Sequence, residues 1–376
     1  MLSKEELTGR TKDLLTILRQ LVEIESPSNE KAAVDRVRVR VSEELQRLGA
    51  AVTVDVQSTT GDHVIGRWVE GGGREGLLLL CHMDTVHPLG TLERFPCTER
   101  DGRLYGPGAL DMKAGIALAL VTLSALKEAG RWPDRPITAL FTADEETGSH
   151  SSRQLIEHLA RQSGLVLCLE PGLPDGSLKT WRKGVGGFEV TTHGRAAHAG
   201  GNYEQGRNAI EELAHQVIAI QRMTDYSKGT TLNVGVIQGG SFSNVVPDRA
   251  RAVVDLRVMV PEEADRIMES MRSLSPVLEG TTLEVQGGMN RPPMPRDERM
   301  AVTFEKACSI AAGLGLRLTE GGTGGGSDAN FVAPLGVPVL DGLGALGEGM
   351  HSESEYVSIA SLPQRIALLA ALLTEW

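Results

Sequence analysis

Apolar and polar positions along the chain fall into two regimes. Leu14, Leu15, Leu18, Leu21 and Val22 recur at helical spacing and stop before the turn signal Ser26-Pro27-Ser28, and Lys31 to Leu48 reads as a second helix closed by Gly49. Short unbroken apolar runs follow at Leu77–Leu80, Ile137–Phe141 and Leu165–Leu169, the pattern of strands buried on both faces. Helices alternate with them, one from about Lys113 to Glu128, ended by Gly130 and Pro133, and another over Arg153–Ala160. This alternation predicts an α/β layer fold with a mainly parallel sheet.

Between about Asp175 and Gly288 the order changes to strand (Gly187–His193), helix (Gln205–Arg222), two strands (Thr231–Gln238 and Arg249–Val260), helix (Glu262–Leu274) and strand (Leu283–Gln286). That βαββαβ order is a ferredoxin-like unit. Segments rich in His, Asp and Glu lie on both sides of it and none within it. The sequence therefore predicts a discontinuous catalytic domain, residues 1–174 and 289–376, with a smaller domain at 175–288 inserted into it. Pro174 and the run Arg291-Pro292-Pro293 mark the two crossings.

The 376 residues suffice for two domains and a sizeable core, and the formal net charge of −11 argues against non-specific binding to nucleic acid or anionic membranes. The opening MLSKEELTGR lacks the basic and apolar regions of a signal peptide, and no apolar run is read as membrane-spanning, so a cytoplasmic location is the expectation. Cys81, Cys97, Cys168 and Cys308 lie far apart with no CxxC pair and read as free thiols.

Five short segments carry the candidate chemistry: CHMDTV at Cys81–Val86, LDMKAG at Leu110–Gly115, ADEETGS at Ala143–Ser149, CLEPG at Cys168–Gly172 and GMHSESEYV at Gly349–Val357. Several follow a predicted strand, which is where loops of an open α/β sheet converge on a ligand. His82 and Asp84 are one residue apart, so both can face one side of a strand end, with His82 on a metal and Asp84 on its other ring nitrogen. Asp111 follows a tight loop and has two oxygens with which to bridge two cations. Glu145 and Glu146 are adjacent, so only a turn lets both reach one cleft, one as ligand and the other as general base. Each signal alone is weak. The ordered set supplies two His and three carboxylates as ligands, with an Asp and a Glu to spare, a donor mix suited to zinc, and it predicts a two-zinc hydrolase.

With these segments in view the chain resembles the M20 family of metallopeptidases, most nearly its glutamate carboxypeptidase (carboxypeptidase G2) branch. Gly61-Asp62-His63, His198-Ala199-Gly200, Gly239-Gly240-Ser241-Phe242-Ser243-Asn244 and Gly325-Gly326-Ser327-Asp328-Ala329 extend the resemblance over nearly the full length. It implies that His82 and Glu170 bind one zinc, that Glu146 and His351 bind the other, and that Asp111 bridges them. Other divalent ions, such as cobalt or manganese, are alternatives. Glu145 matches the general base, which takes a proton from a metal-activated water and returns it to the leaving amine. The Glu at 170 matches carboxypeptidases and N-acyl deacylases, where the family's aminotripeptidases carry Asp.

Alternation along Arg249–Val260 sends Ala250, Ala252, Val254, Leu256, Val258 and Val260 toward the insert's helices and leaves Arg257 on the open face. By resemblance Arg257 holds the substrate's terminal carboxylate, a bidentate task suited to guanidinium, with Arg291 as a second candidate. His198 matches a residue that stabilises the tetrahedral oxyanion, in dimers from the opposite subunit, and Asn244 assists. Gly321–Gly326 lacks the Gly-Lys-Ser/Thr of a phosphate loop. His63, His87, His150, His158, His193 and His215 receive no role.

The resemblance thus implies a carboxypeptidase that removes a C-terminal amino acid, glutamate among the candidates, from a peptide or N-acyl conjugate. Its nearest rival is an N-acyl amino acid deacylase of the acetylornithine or succinyl-diaminopimelate type. A non-catalytic metal-bound binding protein is the third reading, opposed by the full set of ligands and base. The family's pairing through its inserted domain implies a homodimer.

Overall fold

The computed structural model describes residues 4–69 and 75–376. Two compact units result: Met1–Trp181 with Arg296–Gly322 and Ser327–Trp376, and Arg182–Pro295 with Thr323–Gly326.

The first unit is built on a six-stranded sheet in the order Ala51–Asp55, His63–Trp68, Ile137–Thr142, Gly76–His82, Ser163–Cys168, Val339–Leu340. Successive side chains of the central strands face opposite ways. Leu77, Leu79 and Cys81 join Ile137, Ala139 and Phe141 in the main core, while Leu78 and Leu80 are equally buried from the other side. Burial on both faces explains why these strands read as unbroken apolar runs.

The sheet is mainly parallel but mixed, three of its five ladders being parallel. Gly76–His82 runs parallel to both neighbours, and Val339–Leu340 runs parallel to Ser163–Cys168, but His63–Trp68 is antiparallel to both strands beside it. The short return that pairs Asp55 with His63 forces that direction. An apolar run records burial and carries no sign of strand direction.

Helices Lys4–Val22, Ala114–Glu128 and Leu362–Glu375 pack on one another, and Ala114–Glu128 is buried along nearly its whole length. Its apolar residues run all round, the mark of a helix enclosed on every side. By length and composition alone the stretch Ala109–Glu128 would cross a membrane, contrary to the expectation that no run is long enough. Here that apolar surface is spent on the protein core.

The second unit is a four-stranded antiparallel sheet ordered Thr231–Gly239, Arg249–Val258, Gly184–His193, Thr282–Arg291. Ala250, Ala252, Val254, Leu256 and Val258 share a core with Leu213 and Ile220 of helix Ala209–Gln221 and with Ile267 and Met271 of helix Pro261–Arg272. Val260 departs from the predicted alternation: it lies beyond the strand, caps the second helix and is exposed. On the other face Arg251 pairs with Glu189 and Arg257 with Asp255.

Candidate metal centre

Five segments of the first unit deliver one predicted ligand each. His82 ends the central strand Gly76–His82, and Glu170 follows its parallel neighbour Ser163–Cys168, so both leave the sheet at the carboxyl edge. Glu146 sits in the turn Glu145–Thr147 just past Ile137–Thr142. A helical turn there resolves the problem of adjacent acids, because the two side chains no longer point oppositely.

Asp111 and His351 come from a smaller sheet ordered Gly347–Glu348, Tyr356–Ser358, Arg103–Tyr105, Thr98–Arg100. Tyr356 pairs with Tyr105 in register, their rings 5.5 Å apart, and this sets the loop before Tyr356 beside the loop after Tyr105. His351 lies in the first loop with φ at 63°, a left-handed conformation uncommon for a residue with a side chain. Asp111 lies in the second, in a distorted turn ahead of helix Ala114–Glu128.

The ligand atoms fall into two groups that share Asp111. Its Oδ1 lies 3.2 Å from His82 Nε2, which is 3.4 Å from Glu170 Oε1. Its Oδ2 lies 3.3 Å from His351 Nε2, which is 3.4 Å from Glu146 Oε2. One carboxylate is thus divided between two histidines, each with a further carboxylate of its own. The spacings fit a metal. A tetrahedral zinc with bonds of about 2.0–2.1 Å places its donors about 3.3–3.4 Å apart. Glu146 Oε1 is also buried with no hydrogen-bond partner, a costly state for a carboxylate oxygen unless a cation faces it. His82, Asp111, Glu146 and Glu170 are buried or nearly so, and His351 is half exposed.

Burial works against a charged His82, but its hydrogen bonds to Asp111, Asp84 and Glu170 outweigh it and raise its pKa well above the usual value. Hydrogen bonds to Asp111 and Glu146 raise His351 to about 10. Burial opposes ionisation of Asp111, yet the two imidazoles hold its pKa below the usual carboxylate range. Burial, together with the nearby Asp111 charge, raises Glu146 despite His351.

Asp84 faces the other ring nitrogen of His82 as expected and also does more. His82 Nδ1 lies 3.0 Å from the Asp84 backbone carbonyl and 3.4 Å from its Oδ1. The carboxylate itself accepts the backbone N–H of Glu145 at 3.2 Å, that of Glu146 at 3.1 Å, and the Ser28 hydroxyl at 2.7 Å. Asp84 therefore braces the turn that carries both glutamates. The Ser26–Ser28 turn runs along Met83–Thr85 and fixes it from the other side. Glu145 is half buried, and its charge reaches His82.

Two supports were not legible as such. His63, given no role, is buried, with Nε2 3.0 Å from the Ser151 hydroxyl and Nδ1 accepting the Ala143 N–H at 3.2 Å. Asp328, in the late glycine-rich motif, accepts the Thr142 hydroxyl at 3.1 Å and the Ser149 hydroxyl, so it grips both ends of the Glu145–Glu146 segment. The remaining candidates, His198, Asn244, Arg257 and Arg291, belong to the second unit. There, strand Ala197–His198 pairs His198 with Val245, and the Asn244 carbonyl accepts the Ala199 N–H at 2.9 Å. Arg257 clasps Asp255 through two bonds of 2.9 Å, and Arg291 is buried with Nη1 on Asn290 Oδ1 at 2.8 Å. All four cysteines are free.

A fold of this kind with an imidazole and carboxylate cluster at its sheet edge defines a metal-dependent hydrolase. Residues 78–375 match the model of peptidase family M20/M25/M40, and the chain belongs to that family. Carboxypeptidase G2 of Pseudomonas sp. (strain RS-16) is 33% identical over 369 residues, covering 96% of this chain and 89% of the relative. Acetylornithine deacetylase of Myxococcus xanthus is 30% identical over 322 residues, 80% of each chain. The crystal structure of a dinuclear metal-binding peptidase of the M20 family from Bacillus subtilis shares the fold, with a TM-score of 0.70 over 97% of this chain and 98% of that one at 17% identity. The protein is thus an enzyme of the metallo-carboxypeptidase and amidohydrolase type.

Proposed function

We propose that the protein is a di-zinc carboxypeptidase that removes a C-terminal amino acid, glutamate foremost, from a peptide or N-acyl conjugate. The observation that carries the metal half of this reading is the division of the two Asp111 oxygens between His82 and His351. In this reading His82, Glu170 and Asp111 hold one ion, and Glu146, His351 and Asp111 the other. When bound, two such ions lower the pKa of a shared water and polarise the scissile carbonyl. Glu145 takes the water's proton and returns it to the leaving amine. Its half-buried place, with its charge felt at His82, supports that role.

His198 is assigned the oxyanion. Its Nδ1 accepts the N–H groups of Gly200 and Gly201, both at 3.1 Å, which leaves the proton on Nε2 and makes that nitrogen an outward donor. Asn244, at the same end of the short ladder, assists. Arg257 is assigned the substrate's terminal carboxylate, with Arg291 as a second cation. The βαββαβ order of the second unit, with its 2-3-1-4 strand arrangement, supports a ferredoxin-like lid and dimerisation domain, its bounds at Arg182–Pro295 with Thr323–Gly326 and not the expected 175–288. Its edge strand Thr231–Gly239 exposes Val236 and Ile237, as a pairing edge between two copies would.

A second reading keeps the same centre and changes the substrate to a short N-acyl amino acid, and the likeness to acetylornithine deacetylase favours it. The two are separated by mass-spectrometric product analysis of zinc-loaded protein with folyl-glutamate, N-acyl amino acids and dipeptides. Glutamate released from the folyl conjugate supports the carboxypeptidase. Cleavage of short N-acyl compounds alone moves the protein to the deacylases.

A further inference from the structure

Glu355 lies four residues after His351, and its carboxylate is wholly buried among donors from a distant part of the chain. Oε1 accepts the backbone N–H of Leu110 at 2.7 Å and that of Asp111 at 2.9 Å. Oε2 accepts the N–H of Gly108 at 3.0 Å and faces His87 Nε2 at 2.9 Å. The Glu355 backbone carbonyl also accepts the Gly106 N–H at 3.3 Å. Three N–H groups of one short loop converge on a single anion, the arrangement of a backbone nest. Buried there, each of the three N–H groups would lack a partner without an acceptor at that point.

We propose that Glu355 is the positioning residue of the metal position built from Asp111, Glu146 and His351. It fixes the backbone of Asp111 directly and sits on the same loop as His351. One carboxylate thereby sets the separation of two ligands that are 240 residues apart in sequence. Glu355 touches neither donor group in this role and acts only through the backbone it holds. An amide cannot replace it, because its NH2 would face either the Leu110 and Asp111 N–H pair or the Gly108 N–H. The inference rests on the dinuclear reading of the site and not on any substrate.

The test is a stepwise zinc titration of the metal-free full chain against a chromophoric chelator, for wild type and Glu355→Gln. Wild type takes up two ions. In Glu355→Gln the ion at the His351 position binds about ten- to a hundred-fold more weakly, the range usual for outer partners of metal ligands, while the other, which shares only Asp111 with that position, loses less. Raising free zinc then restores full occupancy. Should Glu355→Gln not fold, Glu355→Asp keeps the charge on a shorter arm, and its smaller loss again falls mainly on the ion at the His351 position. Unchanged affinity for both ions in the folded variant overturns the inference, and so does an equal loss at both positions, which would mark general loosening. Wild type that binds two ions but cleaves no test substrate refutes the substrate reading and leaves this comparison intact.

Discussion

The Asp84 carboxylate holds the backbone of Glu146, its Oδ2 accepting that N–H at 3.1 Å while Oδ1 accepts the N–H of Glu145 at 3.2 Å. Burial disfavours this charge, but hydrogen bonds from His82, Ser28 and Glu146 keep its pKa below the ordinary value. In Asp84→Asn one accepting oxygen becomes an NH2 that must face a donor. The turn would then shift while the surrounding core keeps its packing. Turnover should fall about ten- to a hundred-fold with little change in secondary structure by circular dichroism. Wild-type turnover in a folded Asp84→Asn protein would show that the turn needs no such brace.

Arg257 already spends Nε and one Nη2 bond on Asp255, and its Nη1 lies 3.4 Å from the Gly324 carbonyl. Asp255 orients the guanidinium, and the Nη1 and Nη2 edge keeps donors for a second carboxylate. Arg257→Ala should raise KM for substrates with a free terminal carboxylate by about tenfold or more, as loss of a charge-assisted pair implies. The amidated analogues, poor to begin with, should be little affected. An equal loss on both kinds of substrate would remove Arg257 from carboxylate recognition.

The second unit carries a pH-dependent element away from the metal cluster. Hydrogen bonds from Arg266 hold the buried Glu263 carboxylate, against its burial, at about 2, with Lys228 and the Thr230 hydroxyl adding to the effect. A carboxylate depressed in the folded state contributes stability above its unfolded pKa near 4.5 and loses that contribution as pH falls toward 2. At neutral pH Glu263→Gln should therefore lower the unfolding temperature by about 5 °C. The gap between wild type and variant should close as pH drops from about 5 toward 2. A gap that stays constant over that range would mean that the charge of Glu263 is not what stabilises the unit.

Much of this arrangement was legible in the chain because clustered His, Asp and Glu beside apolar runs mark candidate donors, and the family resemblance then assigned His82, Asp111, Glu146, Glu170 and His351, which meet in space. The strands Leu77–Leu80 and Ile137–Phe141 announced themselves by unbroken apolar residues. The antiparallel course of His63–Trp68 did not, since direction leaves no mark on hydropathy. Nor did Glu355 and His87. Their roles depend on a loop 244 residues away from Glu355 turning its N–H groups inward, and backbone donors carry no side-chain signature. Asp328 stood in a noticed motif, but its partners Thr142 and Ser149 became its neighbours only through the fold. For Asp84 the partner His82 was found and the Glu145 and Glu146 N–H groups were not, because alternation along a strand points to His82 while only the turn brings the backbone donors.

The central claim is that Glu145 moves protons beside a two-metal site that it does not help to hold. Its direct test is to load Glu145→Gln with zinc, count the metal per chain by mass spectrometry, and measure hydrolysis of the substrate that wild type cleaves. The account predicts two ions per chain, as in wild type, and a turnover lower by at least about a hundredfold. Two bound ions with near-normal turnover would contradict the base assignment, and loss of an ion would make Glu145 a ligand instead.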